Sequence, residues 1–226
     1  MTFLITGASR GIGFELTQQA LTGGHKVFAC YRSSPKELEK LMIDFKNQLN
    51  LVELDASSDE STLKASKKIS DPIDVLINNA GVYLDSNADS LSKLTSDTVL
   101  KTFETNTVGP LRVTKAFESH LKKSNAPTVV NITSLMGSMT DNKGGTAYAY
   151  RMSKAALNMF TKNLSIENPD WKVLSVHPGW VQTDMGGKGA TVTALQSATG
   201  ILKLAQDSAK ESSGKFYDFR GRELPW

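Results

Sequence analysis

Short apolar runs alternate along this chain with longer stretches of helical period. The runs are Phe3 to Thr6, Lys26 to Cys30, Leu49 to Glu53, Val75 to Asn78, Thr128 to Thr133 and Lys172 to Val176. Amphipathic stretches such as Phe14 to Leu21 and Leu63 to Ile69 lie between them. Strand and helix in alternation predict an α/β fold with a parallel sheet covered by helices on both faces. Several runs are almost continuous Val, Ile and Leu, as strands buried on both sides should be. A last run, Gly214 to Tyr217, is expected at the sheet edge. No linker, repeat or low-complexity tract interrupts residues 1–226, which predicts a single domain. Thr183 to Gly200 is rich in Gly, Ala and Thr without a clear period, and reads as a mobile loop over a site.

Composition narrows the function classes. Hydrophobic residues make up 39% and charged residues 22%, which fits a soluble globular chain. A formal net charge of +3, with scattered Lys and Arg, gives no argument for nucleic acid, though the surface can still favour an anionic ligand locally. No apolar run is long enough to span a bilayer. The first strand begins at Thr2, which leaves no room for a leader and sets the expectation of a cytoplasmic protein. The single cysteine, Cys30, allows no internal disulfide and reads as a small core residue in a reducing compartment. His25, His120 and His177 are too dispersed for a metal site or a triad, so no metal is expected.

Gly7, Gly11 and Gly13 punctuate the turn between the first strand and the first helix. Glycines there let backbone approach a ligand, and a helix N-terminus offers free N–H groups and a positive dipole. The position between strand and helix separates this turn from an ordinary glycine turn and points to a pyrophosphate cradle. Chains that prefer NAD carry an acid at the end of the second strand, roughly 20 residues on. Here that place reads Cys30-Tyr31-Arg32-Ser33-Ser34, without a carboxylate. Arg32 suits a 2′-phosphate, Arg10 offers a second charge from the glycine turn, and the hydroxyls of Ser9, Ser33 and Ser34 add donors. Single arginines are commonly solvated surface charges. The missing acid together with two placed arginines favours NADP(H) over NAD(H).

Tyr150 and Lys154 lie at i and i+4, on one helix face. A phenol needs a nearby positive charge to approach neutrality, and Lys154 can supply one. Ser134, at the end of the run Thr128 to Thr133, is the best-placed hydroxyl to hold a carbonyl beside the phenol. The Tyr-x-x-x-Lys spacing alone is weak evidence, because it recurs by chance.

Taken together these pieces resemble the short-chain dehydrogenases/reductases over essentially the whole chain. The resemblance rests on Thr6-Gly-Ala-Ser-Arg-Gly-Ile-Gly13, Asp74-Val-Leu-Ile-Asn-Asn-Ala-Gly81, Asn106, Asn131-Ile-Thr-Ser134, Tyr150-x-x-x-Lys154 and Pro178-Gly-Trp-Val-Gln-Thr183, all in the family's order. It implies a Rossmann-type doubly wound fold with a central, about seven-stranded parallel sheet. It also implies four catalytic positions, filled here by Asn106, Ser134, Tyr150 and Lys154. Ala149 to Asn158, His177 to Gly187 and Gly214 to Trp226 are similar to the C-factor and sniffer group of carbonyl reductases, which mostly use NADPH. By that analogy Tyr150 gives the proton, Ser134 positions the carbonyl oxygen, and Lys154 holds the nicotinamide ribose and lowers the phenol's pKa. Asn106 would hold a water that links Lys154 to solvent, the structural alternative being a helix-kink asparagine. The implied cofactor contacts are Gly7, Ser9, Arg10, Gly11, Ile12, Gly13, Arg32, Asp55, Asn79, Ala80, Gly81, Tyr150, Lys154, Pro178, Gly179, Val181 and Thr183. Asn79 also suits a purely strand-tying role. The spacer between Ser134 and Tyr150, with Asp141-Asn-Lys-Gly-Gly145, is longer than in most of the superfamily and bears on the pocket rim.

The leading expectation is an NADPH-dependent reductase of a small aldehyde or ketone, with a carbonyl or alcohol as its partner. A second reading, from another class, is a dinucleotide-binding signalling protein of the C-factor type in which turnover is incidental. Leu135, Met136, Met139, Trp180 and the segment after Thr183 are expected to shape the substrate pocket. Their apolar character suits an apolar carbonyl and equally suits ordinary packing. The resemblance allows a homodimer through helices containing Leu100 to Leu121 and Tyr150 to Glu167, and equally a monomer.

Overall fold

Seven strands form one parallel sheet in the computed structural model, which describes residues 1–86 and 90–226. They are β1 (Thr2–Ile5), β2 (Lys26–Tyr31), β3 (Leu49–Glu53), β4 (Val75–Asn78), β5 (Thr128–Ile132), β6 (Lys172–His177) and β7 (Lys215–Asp218). Their spatial order is β3-β2-β1-β4-β5-β6-β7, with every pair parallel. The apolar runs therefore land where the pattern places them, and the last run is an edge strand, as expected.

Alternation of side chains along each strand divides the core into two layers. Phe3, Ile5, Val27, Ala29, Val75, Ile77, Val130, Ile132, Leu174 and Val176 face one side. There they pack on α1 (Gly11–Thr22), α2 (Lys36–Asp44) and α8 (Ala194–Asp207). Leu4, Phe28, Cys30, Leu76, Val129 and Val173 face the other. They meet residues of α3 (Asp59–Lys67), α5 (Gly109–Ala116) and α7 (Tyr148–Glu167). Cys30 is fully buried, and burial pushes its thiol pKa up, which leaves it an inert core residue as expected.

Two expectations about the helices need correction. The segment Thr183 to Gly200 is not loop throughout, because α8 begins at Ala194. Its start is set by a capping box, in which Thr193 Oγ1 accepts from the Gln196 N–H and Gln196 Oε1 accepts from the Thr193 N–H. The buried positions Ser197, Ala198, Ile201, Leu202 and Ala205 follow helical period, but two of the first are so small that a hydrophobicity pattern hides them. The run Leu100 to Leu121 is likewise not one helix. It breaks into α4 (Ser96–Phe103), a π-helical turn (Glu104–Val108), α5 and α6 (Glu118–Leu121). Such single π turns inside helices often accompany functional sites.

The strand order reverses between β1 and β4, so the chain leaves these neighbours toward opposite faces of the sheet. A crevice opens at their carboxyl ends, the usual place for a ligand in an open α/β sheet. Every candidate site segment is at this end. The glycine turn follows β1, Asn79 to Gly81 follow β4, Ser134 follows β5, and Pro178 to Thr183 follow β6.

Candidate active site

The glycine turn is braced by the end of β4. Thr6 Oγ1 accepts from the N–H groups of Asn79 and Ala80, both at 3.0 Å, and Asn79 Nδ2 donates to the carbonyls of Thr6 (2.9 Å) and Gly7 (3.2 Å). Asn79 therefore ties strands together, the structural half of its expected roles. Gly13 is a place for glycine alone, since a Cβ would meet the Gly7 carbonyl oxygen at 2.2 Å and Asn79 Nδ2 at 2.5 Å. The first turn of α1 has no acidic residue, and Arg10 at its N-cap makes no side-chain capping bond. Its first N–H groups thus keep the free donors and positive dipole that suit a phosphate-bearing ligand.

The charged groups expected around this turn do not all converge. Arg32 is exposed at the end of β2 and acts electrostatically on Asp55, beyond β3. Partial burial raises the Asp55 carboxyl, but two hydrogen bonds from Ser57 and the charges of Arg32 and Arg112 outweigh it and hold the carboxyl below its ordinary value. Arg10 instead forms an ion pair with Asp184, at 2.9 Å, across the mouth of the crevice.

The catalytic candidates meet at the ends of β5 and α7. Ser134 caps a short 3-10 turn (Leu135–Gly137) by accepting from the Met136 N–H at 3.1 Å. That turn packs directly on α7, where a Cβ on Gly137 would lie 2.8 Å from the Lys154 carbonyl carbon. Asn158 Nδ2 donates to the Gly137 carbonyl (3.4 Å) and Thr133 Oγ1 to the Lys154 carbonyl (3.3 Å). This close packing sets the distance between Ser134 and the Tyr150–Lys154 face. Lys154 is buried, donates to the Ile132 carbonyl at 2.9 Å, and places Nζ 5.7 Å from the centre of the Tyr150 ring.

The titration of this pair differs from expectation. Burial, joined by Tyr83 and Asp85, pushes the Tyr150 phenol up to about 12 despite the Ser134 hydroxyl beside it, which acts in the opposite sense. Burial also brings Lys154 down to about 8. In this structure the Ser134 hydroxyl, not Lys154, is the group that lowers the phenol against that rise. The phenol is protonated at neutral pH.

Asn106 lies in the π turn and is fully buried. Its Oδ1 accepts from the Val82 N–H (2.8 Å), and Nδ2 donates to the Val82 carbonyl (2.9 Å) and to Ser153 Oγ (3.1 Å). It joins the loop after β4 to the helix that carries Tyr150. Asn131, from the recognised motif, belongs to a buried polar chain instead, accepting from Asn78 (2.8 Å) and donating to Thr161 (2.9 Å).

The rim is built from both ends of the chain's second half. Trp226 presents its carbonyl oxygen to the Met139 N–H (2.7 Å), the Thr140 N–H (3.2 Å) and Ser138 Oγ (2.9 Å). Met139 and Trp180 are exposed, while Leu135 and Met136 are half-buried. Val181 is buried, Thr183 lies against Gly11, and Trp180 Nε1 donates to the Gly186 carbonyl at 2.8 Å. Of the histidines, His120 bonds the Ile69 carbonyl (2.8 Å) and His25 bonds Gln206 (2.8 Å). Among the described residues no cluster could hold a metal, and no helix is long and apolar enough to cross a membrane.

Sequence reasoning missed Tyr83, Asp85 and Arg151. The Tyr83 and Tyr150 rings are 4.6 Å apart, and buried Asp85 accepts from the Ala149 N–H at the start of α7. Arg151 reaches the Gly145 carbonyl (2.9 Å) and the Met136 carbonyl (3.4 Å). Only their distance from Tyr150 in space reveals them.

Known proteins resemble this arrangement along its length. The chain is 46% identical to the C-signal of Myxococcus xanthus over 157 residues, spanning 69% of this chain and 93% of that protein. An NADPH-bound carbonyl reductase from chicken fatty liver superposes with a TM-score of 0.93 at 32% identity, covering 100% of this chain and 98% of the other. The carbonyl reductase Sniffer of D. melanogaster gives a TM-score of 0.93 at 31% identity, covering 100% and 99%. The family model described as short chain dehydrogenase matches residues 1–192, and with the glycine turn, the strand order and the Ser134, Tyr150 and Lys154 grouping in place, this chain belongs to that family of oxidoreductases.

Proposed function

We propose that the protein is an NADP(H)-dependent reductase of small aldehydes or ketones. The observation that carries this reading is the meeting of Ser134, Tyr150 and Lys154 at the open end of the sheet, with a protonated phenol among them. Similarity to an NADPH-bound carbonyl reductase and to Sniffer supports the same chemistry. The glycine turn and the uncapped start of α1 fit a dinucleotide's phosphates. Gly7, Ser9, Arg10, Gly11, Ile12 and Gly13 would line that part, Arg32 and Asp55 the adenosine end, and Asn79, Ala80 and Gly81 the ribose side. Pro178, Gly179, Val181 and Thr183 would border the nicotinamide. Arg32, with no competing acid at the end of β2, supports preference for the 2′-phosphate.

When bound, the reduced nicotinamide supplies a hydride to the carbonyl carbon. Tyr150 gives its proton to the carbonyl oxygen, and Ser134 hydrogen-bonds that oxygen and orients it. Lys154, buried beside the ring, returns the proton to Tyr150. Asn106 serves that relay through its main chain, because its side-chain amide is committed to Val82 and Ser153.

Oxidation of NADPH against a panel of carbonyls tests the reading. Tyr150→Phe is expected to abolish turnover while leaving NADPH affinity within about twofold, as a group acting mainly in the transition state should. Arg32→Ala should weaken NADPH by about tenfold or more and leave NADH nearly unchanged, the scale of one lost charge-assisted bond. Equal use of both cofactors would sink the assignment of Arg32. Similarity to C-signal supports a second reading, in which dinucleotide binding serves signalling. A signalling phenotype that survives both substitutions would favour it.

A further inference from the structure

Helix α7 has an unusual start. Thr146 and Ala147 take left-handed backbone conformations, with φ of 55° and 46°, directly after Gly145 at 60°. Ala147 occupies the N-cap and has no side chain to cap the helix. Left-handed non-glycine residues are strained and persist only where surrounding contacts over-determine them. One such contact comes from 64 residues away. Asp85 Oδ2 accepts from the Ala149 N–H at 2.8 Å and approaches the Tyr150 N–H at 3.4 Å.

Asp85 is 2% exposed, and its other oxygen, Oδ1, finds no hydrogen-bond partner among the described residues. A carboxylate capping a helix is ordinary, but one so buried with an unused oxygen is expensive to keep. Serine or asparagine would cap α7 as well without the charge. The charge therefore asks for a purpose, and its neighbours indicate one. Tyr83, two residues earlier, lays its ring 4.6 Å from that of Tyr150.

We infer that Asp85 is a positioning residue for the reaction: it seats the first turn of α7, which carries Tyr150, and sets a carboxylate beside that turn that holds the phenolic proton in place to higher pH. This rests on the reading of Tyr150 as the proton donor. The groups around Tyr150 are Ser134 from the end of β5, Tyr83 and Asp85 from the loop after β4, the latter at the Tyr150 main chain, and Lys154 from α7 itself. Arg151 acts electrostatically on Tyr83, but its guanidinium is turned to the Gly145 and Met136 carbonyls. Of these groups, Asp85 is the one that opposes formation of a phenolate while also holding the Tyr150 main chain.

The sign follows from electrostatics. Removing a negative charge makes the phenolate easier to form, so the pKa of Tyr150 falls. Asp85→Asn keeps an oxygen for the helix N–H groups and removes the charge. In the NADPH-loaded enzyme it should move the alkaline limb of carbonyl reduction to lower pH by about half a unit or more, and the acid limb of alcohol oxidation in the same direction. Tyrosinate absorbance of the ligand-free protein, taken as the difference from Tyr150→Phe, should shift with it. Asp85→Glu, which restores charge, should return both limbs toward wild type. If Asp85→Asn does not fold, Asp85→Ser makes the same charge change with a short capping oxygen. A folded Asn or Ser variant whose limbs and tyrosinate onset match wild type, while Tyr150→Phe is inactive, overturns the role of Asp85 alone. Turnover that survives in Tyr150→Phe overturns the proton-donor reading and this inference with it.

Discussion

Arg10 and Asp184 meet at 2.9 Å although 174 residues separate them, and their ion pair joins the glycine turn to the loop after β6. Both side chains are about four-fifths exposed, at 80% and 81%. Such a pair contributes at most about 1 kcal/mol to stability. Its consequence is for binding: a guanidinium engaged by Asp184 is withheld from the 2′-phosphate that Arg10 is expected to help hold. Asp184→Asn should leave the melting temperature nearly unchanged. It should tighten NADPH by about two- to fivefold relative to NADH, the equivalent of releasing one weak surface pair. Fluorescence titration with both cofactors checks this, and an equal shift for the two would refute it.

Thr146 is exposed, β-branched and held at φ 55°. Such a residue is strained there by about 1–2 kcal/mol, whereas glycine is not. Greater freedom of glycine in the unfolded chain offsets about 0.4–1 kcal/mol of the gain. Thr146→Gly is therefore expected to raise the melting temperature by about 1–4 °C. A calorimetric scan is sufficient, and a fall in melting temperature would mean that the Thr146 side chain makes a stabilising contact worth more than the strain.

His177 ends β6 with its Nδ1 buried and without a hydrogen-bond partner among the described residues. Burial, helped by Arg222 and opposed by Asp218 and Asp141, pushes its pKa down to about 4 from 6.5. Between those values the unfolded chain binds a proton that the folded protein refuses, so stability falls as pH drops through the window. The loss should be on the order of 1–3 kcal/mol between about pH 7 and about pH 4.5. His177→Gln should flatten this part of the stability curve, measured by denaturant melts at several pH values. An unchanged slope would place the acid sensitivity elsewhere.

Local features were legible before any coordinates, because their physics is local. Alternation along Phe3-Leu4-Ile5 or Val75-Leu76-Ile77 sends neighbouring side chains to opposite layers, and this period survives in the linear order. The glycine turn and the Tyr150–Lys154 spacing are likewise relations over a few residues. The resemblance to the family carried the seven-stranded count, which periodicity alone does not specify, while Ser134 stood out by its place at the end of the run Thr128 to Thr133. The start of α8 was written in Thr193 and Gln196, but the small residues after them concealed the helix.

What tertiary structure decided are the contacts between distant segments. Asp85 on the start of α7, Asn106 between Val82 and Ser153, and Asp184 on Arg10 join residues 24 to 174 positions apart. No periodicity or local propensity encodes such a pair, since either partner alone is an unremarkable polar residue. The titration of Tyr150 was also undecided by sequence. Spacing placed an ammonium near the phenol, yet burial and two neighbours from the loop after β4 raise the phenol, and burial exists only once the chain has folded.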